Sequence, residues 1–412
     1  MDHPGFFSLA ILWMVLWGAI GGAVIHRAYL ARDLDVTAAR TVGVAVGAAT
    51  GPFGLVPLYL RTPTLTRAWQ ALPWIAVVAV FLFAFRAADP DNVCFTSGAF
   101  VTSQLVNGLI MGTIYGLMAL GLALIFSIIG IVSFSHGEFY MIGGMVVYYM
   151  TEVWAPGLGP IAAVIAACAV TFGIGAAFER AFFTPIYAGK VERPNEYAIL
   201  VTFGLAFFLQ YLVQGLSGAN PVKASPFFEL PRSEWPAGAP IIETTRSNIE
   251  LFDTISISTP RLTAAILSVV MLLALIWFLY NTWTGRALRA TAQDRQAAAV
   301  AGINPGRMNM LAFGLGCMLA GLAGAVLVQA FSWLPQTGAI PALRAFVIIV
   351  LGGLGSLPGA FIGGLILGLV EAAGAGCVPD PTRAAAYLPA YGMIILTLVL
   401  LLRPQGLFGR KA

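Results

Sequence analysis

The polar residues with the clearest chemical potential lie in a short break between two apolar runs. The break contains Ser133, Ser135, His136 and Glu138. Ionisable groups in apolar surroundings cost free energy, so they are functional candidates by default. Broken helices also expose backbone groups that can line a polar path. We therefore predict a structural turn that borders a pathway. The alternative is a tight turn near the inner membrane face, where His136 only caps a helix.

The rest of the sequence offers no constellation for catalysis. The three histidines, His3, His26 and His136, are far apart, and the polar stretch 217–260 contains neither His nor Cys. A Gly-x-x-x-x-Gly-Lys-Ser/Thr loop, which would cradle nucleotide phosphates, is absent. We therefore expect no catalytic residues, no metal site and no cofactor in this chain.

Two further charges, Arg344 and Glu371, also stand in apolar surroundings. They could pair with each other across the glycine-rich turn Gly352–Pro358. The interpretation that we favour places each of them near a membrane end, in contact with water or lipid headgroups.

These residues require a framework embedded in a membrane. Of the 412 residues, 59% are hydrophobic and only 10% are charged, whereas about a quarter are charged in soluble domains. The apolar residues occur in runs of about 20, the length that spans a bilayer core. The sequence therefore predicts an all-α, polytopic transmembrane helical bundle of about 10 or 11 spans. The net charge of +4 comes from basic residues beside the spans, so no nucleic-acid partner is expected.

The spans divide into an N-terminal membrane block, residues 1–95, and a main block, residues 96–412. The first block has a retained span at 6–25 rather than a cleaved signal peptide, a broken segment at 41–60 and a span at 69–85. Apolar runs of the main block are 104–129, 140–150, 158–178, 197–216, 261–280, 310–330, 341–351, 358–373 and 387–402.

Charge asymmetry orients the main block. Basic residues place the loop 179–196, the polar segment 284–308 and the C-terminal tail on the inner side. The stretch 217–260 becomes an outer loop, with a short helix or hairpin of its own. Cys94 and Cys377 then both lie on the outer side, where they could form a disulfide bond or remain free thiols. Cys168 and Cys317 fall inside apolar runs and are expected to be packing residues.

The segment 284–308 is a basic, alanine-rich island between two apolar runs. Residues 286–300 contain neither glycine nor proline, so a helix is predicted there, ending at Gly302 before Asn304-Pro305. Its charged exterior suits either a docking surface for a protein or an interfacial helix on anionic lipid. The residues that would carry docking are Arg286, Arg289, Asp294, Arg295 and Gly302.

Small residues recur at helical spacing in several apolar runs. Such spacing lets helix backbones approach closely in lipid, so we predict tight helix packing. A mobile interface in a transport cycle is the alternative reading. The residues concerned are Gly112, Gly116, Ala312, Gly316, Ala320, Gly324, Gly359, Gly363, Gly364 and Gly368.

Four ordered stretches of residues 100–412 resemble one protein family. They are Asn107-Gly108 with Gly112, Tyr115 and Gly121; the Ser-His-Gly-Glu turn at 135–138 with 140–144; Gly285–Ala290 with 294–298 and 302–304; and Gly352–Gly359 with the tail at 403–407. Together they resemble permeases of the LivH type, the transmembrane subunits of ABC importers for branched-chain amino acids. The family usually has Asn-Phe-Ala-His-Gly-Glu at the break, so Ser133 and Ser135 depart from it.

The resemblance implies a bacterial inner-membrane permease that works by alternating access and carries out no hydrolysis itself. It implies a second, LivM-type permease, two cytoplasmic ATP-binding subunits that dock on the island, and a periplasmic solute-binding protein. Asn107, Ser133, Ser135, His136 and Glu138 are its pathway candidates. Residues 1–95 have no recognised counterpart in that family.

Two alternatives remain open at this point. The solute could be urea, an amide or an aromatic acid rather than a branched-chain amino acid. An ion-coupled secondary transporter would need buried carboxylates, for which Glu138 and Glu371 are the candidates near apolar spans.

Overall fold

The structure is a computed structural model, and it describes residues 93–157, 159–187, 189–228, 242–244, 248–251, 255–377, 384–402 and 405–409. The chain separates into two compact units, Met1–Thr96 and Ser97–Ala412. Of the first unit only helix α1 (Val93–Thr96) is described, so the spans predicted at 6–25, 41–60 and 69–85 lie outside the described residues.

The second unit is a bundle of long apolar helices, as predicted. Six helices of the described residues are long and apolar enough to cross a membrane, and two apolar helices, Ala339–Gly352 and Tyr387–Thr397, are shorter. The protein is therefore a multi-pass membrane protein. Its helices are α2 (Gly98–Ile129), α3 (His136–Tyr148), α4 (Pro160–Phe178), α5 (Thr184–Tyr187), α6 (Pro194–Ser217), α7 (Thr259–Asn281), α8 (Trp283–Gln293), α9 (Arg295–Val300), α10 (Pro305–Leu327), α11 (Ala339–Gly352), α12 (Leu357–Cys377) and α13 (Ala384–Leu402), with π-helical turns at Tyr149–Trp154 and Glu179–Phe183.

Three short strands within the stretch 217–260 form a small antiparallel sheet, in line with the predicted hairpin. Strands β1 (Ile242–Thr244), β2 (Asn248–Leu251) and β3 (Ile255–Ser258) pair in the order β1-β2-β3, with Ile249 opposite Ile257. The Asn107 side chain on α2 donates to the Ser256 carbonyl at 3.4 Å. We call the end of the bundle that carries this sheet the outer end, and the end that carries α8 and α9 the inner end.

Glycines allow α2 and α12 to pack without side chains between them. A Cβ atom added to Gly364 would lie 2.4 Å from the Gly116 nitrogen, and one added to Gly368 would lie 2.5 Å from the Gly112 Cα. Contacts below 3.0 Å are not tolerated by real side chains, so these positions require glycine. The same close approach joins α10 to α2, where the added Cβ of Gly316 would meet the Gly121 carbonyl at 2.6 Å.

The other small residues singled out in the sequence also lie at crossings. A Cβ at Gly324 would collide with the Tyr140 carbonyl of α3, one at Gly359 with the Gly352 carbonyl, and one at Gly363 would lie 2.9 Å from the Ile348 carbonyl. α10 thereby contacts both α2 and α3 at backbone distance. Packing of this kind replaces the hydrophobic effect as the source of helix association in lipid.

The turn between α11 and α12 is held by the C-terminal tail. Gly353 and Gly355 adopt positive φ angles of 103° and 83°, as the glycine-rich sequence indicates. The Leu407 and Phe408 amides donate to the Leu351 and Gly352 carbonyls at 2.9 and 3.0 Å. Two stretches that are about 50 residues apart in sequence therefore close the inner end together.

The loop before α11, residues 328–338, closes part of the outer end, and we call it the covering loop. Val222 and Trp333 exchange backbone hydrogen bonds at 2.9 and 2.7 Å. The Trp333 ring is fully buried, and its Nε1 donates to the Met141 carbonyl at 3.0 Å. Because a buried indole N–H needs a partner, this bond fixes the loop before α11 against α3.

The cysteines divide into bonded and free ones. Cys94 is disulfide-bonded, so the reading with a free thiol at that position was wrong. Cys168 and Cys317 carry free thiols, and Cys317 is buried within α10 as expected of a packing residue. The identity of the partner of Cys94 stays a prediction.

Candidate functional site

A cavity of about 590 Å³ opens within the outer half of the bundle. That volume is within the range of small-molecule sites. The lining comes from α2, α3, α7, α10, α11, α12, α13 and the loop before α11, and it extends down to Met118. Below that level the α2 residues 119–125 are fully buried. Within the described residues the cavity therefore lies in the outer half of the bundle, and below it α2 is packed against neighbouring helices.

Three charged residues, Arg261, Arg344 and Glu371, contribute to the lining of this cavity. Arg344 of α11 donates through Nε to the Glu371 carboxylate of α12 at 2.8 Å. The Tyr115 hydroxyl also interacts with Glu371, and the Arg344 guanidinium lies 5.0 Å from the centre of the Tyr115 ring. Arg261, in the first turn of α7, lines the same cavity and lies 5.0 Å from the Phe331 ring.

The ion pair corrects the favoured sequence interpretation of Arg344 and Glu371. They do not lie separately near membrane ends; their side chains are 19% and 6% exposed and bonded to each other. The glycine turn between α11 and α12 reverses the chain, so two residues 27 positions apart face each other. Water and headgroups are replaced by a mutual bond.

Only one of the five predicted pathway residues lines the cavity. Asn107 does so, near its outer rim. Ser133, Ser135, His136 and Glu138 are buried and do not line it. They nevertheless form one cluster at the start of α3, where the two serine hydroxyl oxygens lie 3.1 Å apart.

The break before α3 returns into the bundle. The His136 Nε2 donates to the Met118 carbonyl at 2.9 Å, and Met118 precedes the end of α2 at Ile129 by 129 − 118 = 11 residues, or about 16 Å of helix. The reading of this turn as a cap near the inner face was therefore wrong. Within the described residues, His136 Nδ1 and Glu138 Oε2 are buried without a hydrogen-bond partner.

The basic island is two helices rather than the single helix that was predicted. Asp294 adopts an extended conformation (φ −151°, ψ 112°) between α8 and α9, and its carboxylate accepts from the Gln296 and Ala297 amides. Asp294 is thus an N-cap, a role that competes with helix continuation. The predicted stop at Gly302 is present, with φ 85° and the Ile303 amide bonded to the Ala298 carbonyl.

Two island arginines bind the bundle rather than project from it. Arg289 donates to the Leu279 carbonyl at 3.0 Å and lies 4.2 Å from the Tyr280 ring centre. Arg295 donates to the Ile128 and Ile129 carbonyls at 3.1 and 3.4 Å. Both cations therefore stabilise the C-terminal ends of α7 and α2, where the helix dipole favours positive charge. The expected charged exterior is thus smaller than predicted.

The outward surface of the island combines polar and apolar residues. Arg286, Asp294 and Gly302 are exposed, and the Val300 side chain is 91% exposed. The opposite face is buried, with Leu288 fully enclosed. The island is therefore seated on the bundle and presents a small apolar tip with polar flanks.

Sequence reasoning did not single out Tyr115, Arg261, Gln336 and Trp333 as site residues. A signal existed for Arg261, because an arginine begins an apolar run there. The others join the cavity only through contacts between distant segments, which a single sequence does not display.

A bundle of membrane-spanning helices around a cavity of small-molecule size is typical of a transport protein. Residues 104–403 match the family described as "Branched-chain amino acid transport system / permease component". The permease LivH of Escherichia coli K12 is 32% identical over 74% of this chain and 95% of its own length. BraD of Pseudomonas aeruginosa is 33% identical over the same shares, and a probable LivH of Methanocaldococcus jannaschii is 24% identical over 74% and 91%. No solved structure matches the chain.

The chain therefore belongs to the family of branched-chain amino acid transport permeases. The match begins at residue 104 and so leaves residues 1–95 outside it.

Proposed function

We propose that this chain is the transmembrane permease subunit of an ATP-driven importer for branched-chain or related amino acids in a bacterial inner membrane. The observation that carries the proposal is the outer cavity above a packed inner half, in a chain that covers 95% of a curated LivH permease. A solute released at the outer end would enter the cavity and stop at the level of Met118. Passage then requires the packed half to open, which is alternating access.

ATP hydrolysis is assigned to partner subunits. The chain has no phosphate-binding loop, and α8 with α9 supplies a seated platform whose tip, Val300, is exposed. We infer that an ATP-binding subunit docks on this tip, and that Arg289 and Arg295 pass its motion to α7 and α2. The exposed Arg286 and Gly302 would border the contact.

The remaining partners are proposed from the membership of the permease family and from the surfaces that the described residues expose. A solute-binding protein would dock at the outer end, which the strands β1 to β3 and the covering loop form. A second, LivM-type permease would complete the transmembrane pair. Membrane lipid would contact the apolar faces of α6 and α7, where Leu200, Phe208 and Trp277 are exposed.

Reconstitution into liposomes tests the proposal. The complete complex should take up L-leucine, L-isoleucine or L-valine only with ATP and the solute-binding protein present. A phosphate-loop lysine variant of the ATP-binding subunits is the matched control and should abolish uptake. Uptake by this chain alone, driven by a sodium or proton gradient, would refute the proposal in favour of secondary transport.

A further inference from the structure

The bonded pair of Arg344 and Glu371 lies within an apolar helical bundle, where charged side chains carry a free-energy cost. Both side chains are largely withdrawn from water, at 19% and 6% exposure. Taking two charges out of water costs free energy that their attraction repays only in good geometry, and apolar residues of similar volume often serve stability equally well. Ionisable groups inside a membrane domain are therefore expected to act on a solute.

The pair lines the cavity and does not use all of its hydrogen-bonding capacity internally. Arg344 donates a hydrogen bond to Glu371 through Nε, and within the described residues its two terminal nitrogens make no hydrogen bond. A guanidinium presents a planar fork of donors that matches a carboxylate. Glu371 lines the same cavity and accepts from Arg344 while it interacts with Tyr115.

The rest of the cavity surface is complementary to an apolar side chain. Met111, Ile114, Leu327 and Ile340 line it, while the bonded Arg344–Glu371 pair brings two opposite charges together at one place in the lining. A solute with both charges at one end and hydrocarbon at the other would fit this division. An α-amino acid with an aliphatic side chain has that form.

We propose that Arg344 and Glu371 are the solute-recognition pair of this permease, with Arg344 binding the α-carboxylate and Glu371 binding the α-ammonium group. The two charged groups of the bound solute replace contacts that Arg344 and Glu371 make with each other. Because the pair and the zwitterionic solute are each neutral overall, the net charge of the site is the same with and without solute. This assignment rests on the proposed importer function and adds the residues that select a zwitterion. Arg261, at the outer rim, attracts the carboxylate during entry.

The experiment replaces the pair with apolar residues in the complete reconstituted complex. The double variant Arg344→Met with Glu371→Leu removes both charges and leaves no unpaired one. The matched control is Arg193→Met with Glu196→Leu, which removes an exposed Arg–Glu pair of 3.2 Å outside the cavity. Uptake of a radiolabelled mixture of L-leucine, L-isoleucine and L-valine is measured beside ATPase stimulation by the solute-binding protein.

We expect uptake by the Arg344/Glu371 double variant to fall about tenfold or more, since each charged contact contributes at least one decade of affinity. ATPase stimulation and the thermal unfolding midpoint should remain close to wild type, because a structural pair is replaceable by apolar residues. The control double variant should match wild type in all three measurements.

Single variants keep the test decisive if the double variant assembles poorly. Arg344→Lys retains the charge and loses the fork, and Glu371→Gln retains the shape and loses the charge, so each should lower uptake while the complex forms. Wild-type uptake in the double variant, or in both single variants, overturns the assignment. Absence of ATP-dependent uptake by the wild-type complex is a different result, and it overturns the proposed function itself.

Discussion

Replacing Arg295 by methionine should loosen the island from the bundle. Arg295 makes hydrogen bonds of 3.1 and 3.4 Å to the Ile128 and Ile129 carbonyls at the end of α2. A hydrogen bond from a charged donor contributes about 1.5–3 kcal/mol, and partial exposure favours the lower half of that range. A loss of about 2 kcal/mol corresponds to a roughly 30-fold rise in the population of the undocked island.

Hydrogen exchange measures that population directly. In the reconstituted complex, backbone amides of 283–300 should exchange about 30-fold faster in Arg295→Met than in wild type. ATPase activity should persist while uptake per ATP hydrolysed falls, because the motion of the ATP-binding subunits no longer reaches α2. Arg295→Lys should recover part of both effects.

Arg286→Met is the matched control for this experiment. Arg286 is exposed, and among the described residues its side chain makes one hydrogen bond, of 3.4 Å, to the Thr282 carbonyl of its own helix turn. Exchange in the island should stay within about twofold of wild type for this variant. If Arg295→Met also leaves exchange and uptake unchanged, the role assigned to Arg295 is refuted.

Three other substitutions probe packing and docking. Gly364→Leu should abolish stable assembly, because its Cβ would lie 2.4 Å from the Gly116 nitrogen. In the control Gly204→Leu the added Cβ meets nothing within 4 Å, so that variant should fold normally. Size-exclusion chromatography of the two variants distinguishes these outcomes. Trp333→Phe keeps most of the buried ring and loses the indole N–H bond to α3, so the free energy of unfolding should fall by about 1 kcal/mol, which is read as a lower thermal midpoint. Val300→Asp should leave the bundle folded and weaken co-purification with the ATP-binding subunits, and normal co-purification would exclude Val300 from the contact.

The sequence alone predicted most of the helical framework, because membrane spans are determined by local composition. The apolar runs at 104–129, 197–216 and 261–280 correspond to α2, α6 and α7 within a few residues. Gly302 and Asn304-Pro305 also act as expected, since caps depend on neighbouring residues only. The sheet of 242–258 was anticipated only as a hairpin.

The site was harder to predict because its chemistry is non-local. Arg344 bonds a residue on the next helix, whereas the sequence interpretation favoured a separate place for each charge near a membrane end. His136 reaches back to Met118 because the chain between them folds into the bundle, which apolar patterning does not encode. The break at Asp294 was missed because the prediction relied on the alanines and on the lack of glycine and proline, and did not consider aspartate as an N-cap residue.

Helix α2 joins the two working regions of the protein in a single rod. Its 32 residues contain no proline, and an uninterrupted helix of that length extends about 48 Å. The Tyr115 ring on this rod lies 5.0 Å from the Arg344 guanidinium, while the carbonyls of Ile128 and Ile129 at its end accept hydrogen bonds from Arg295. If an ATP-binding subunit docks on the island as proposed, a displacement of that end would reach the Arg344–Glu371 pair through a single helix.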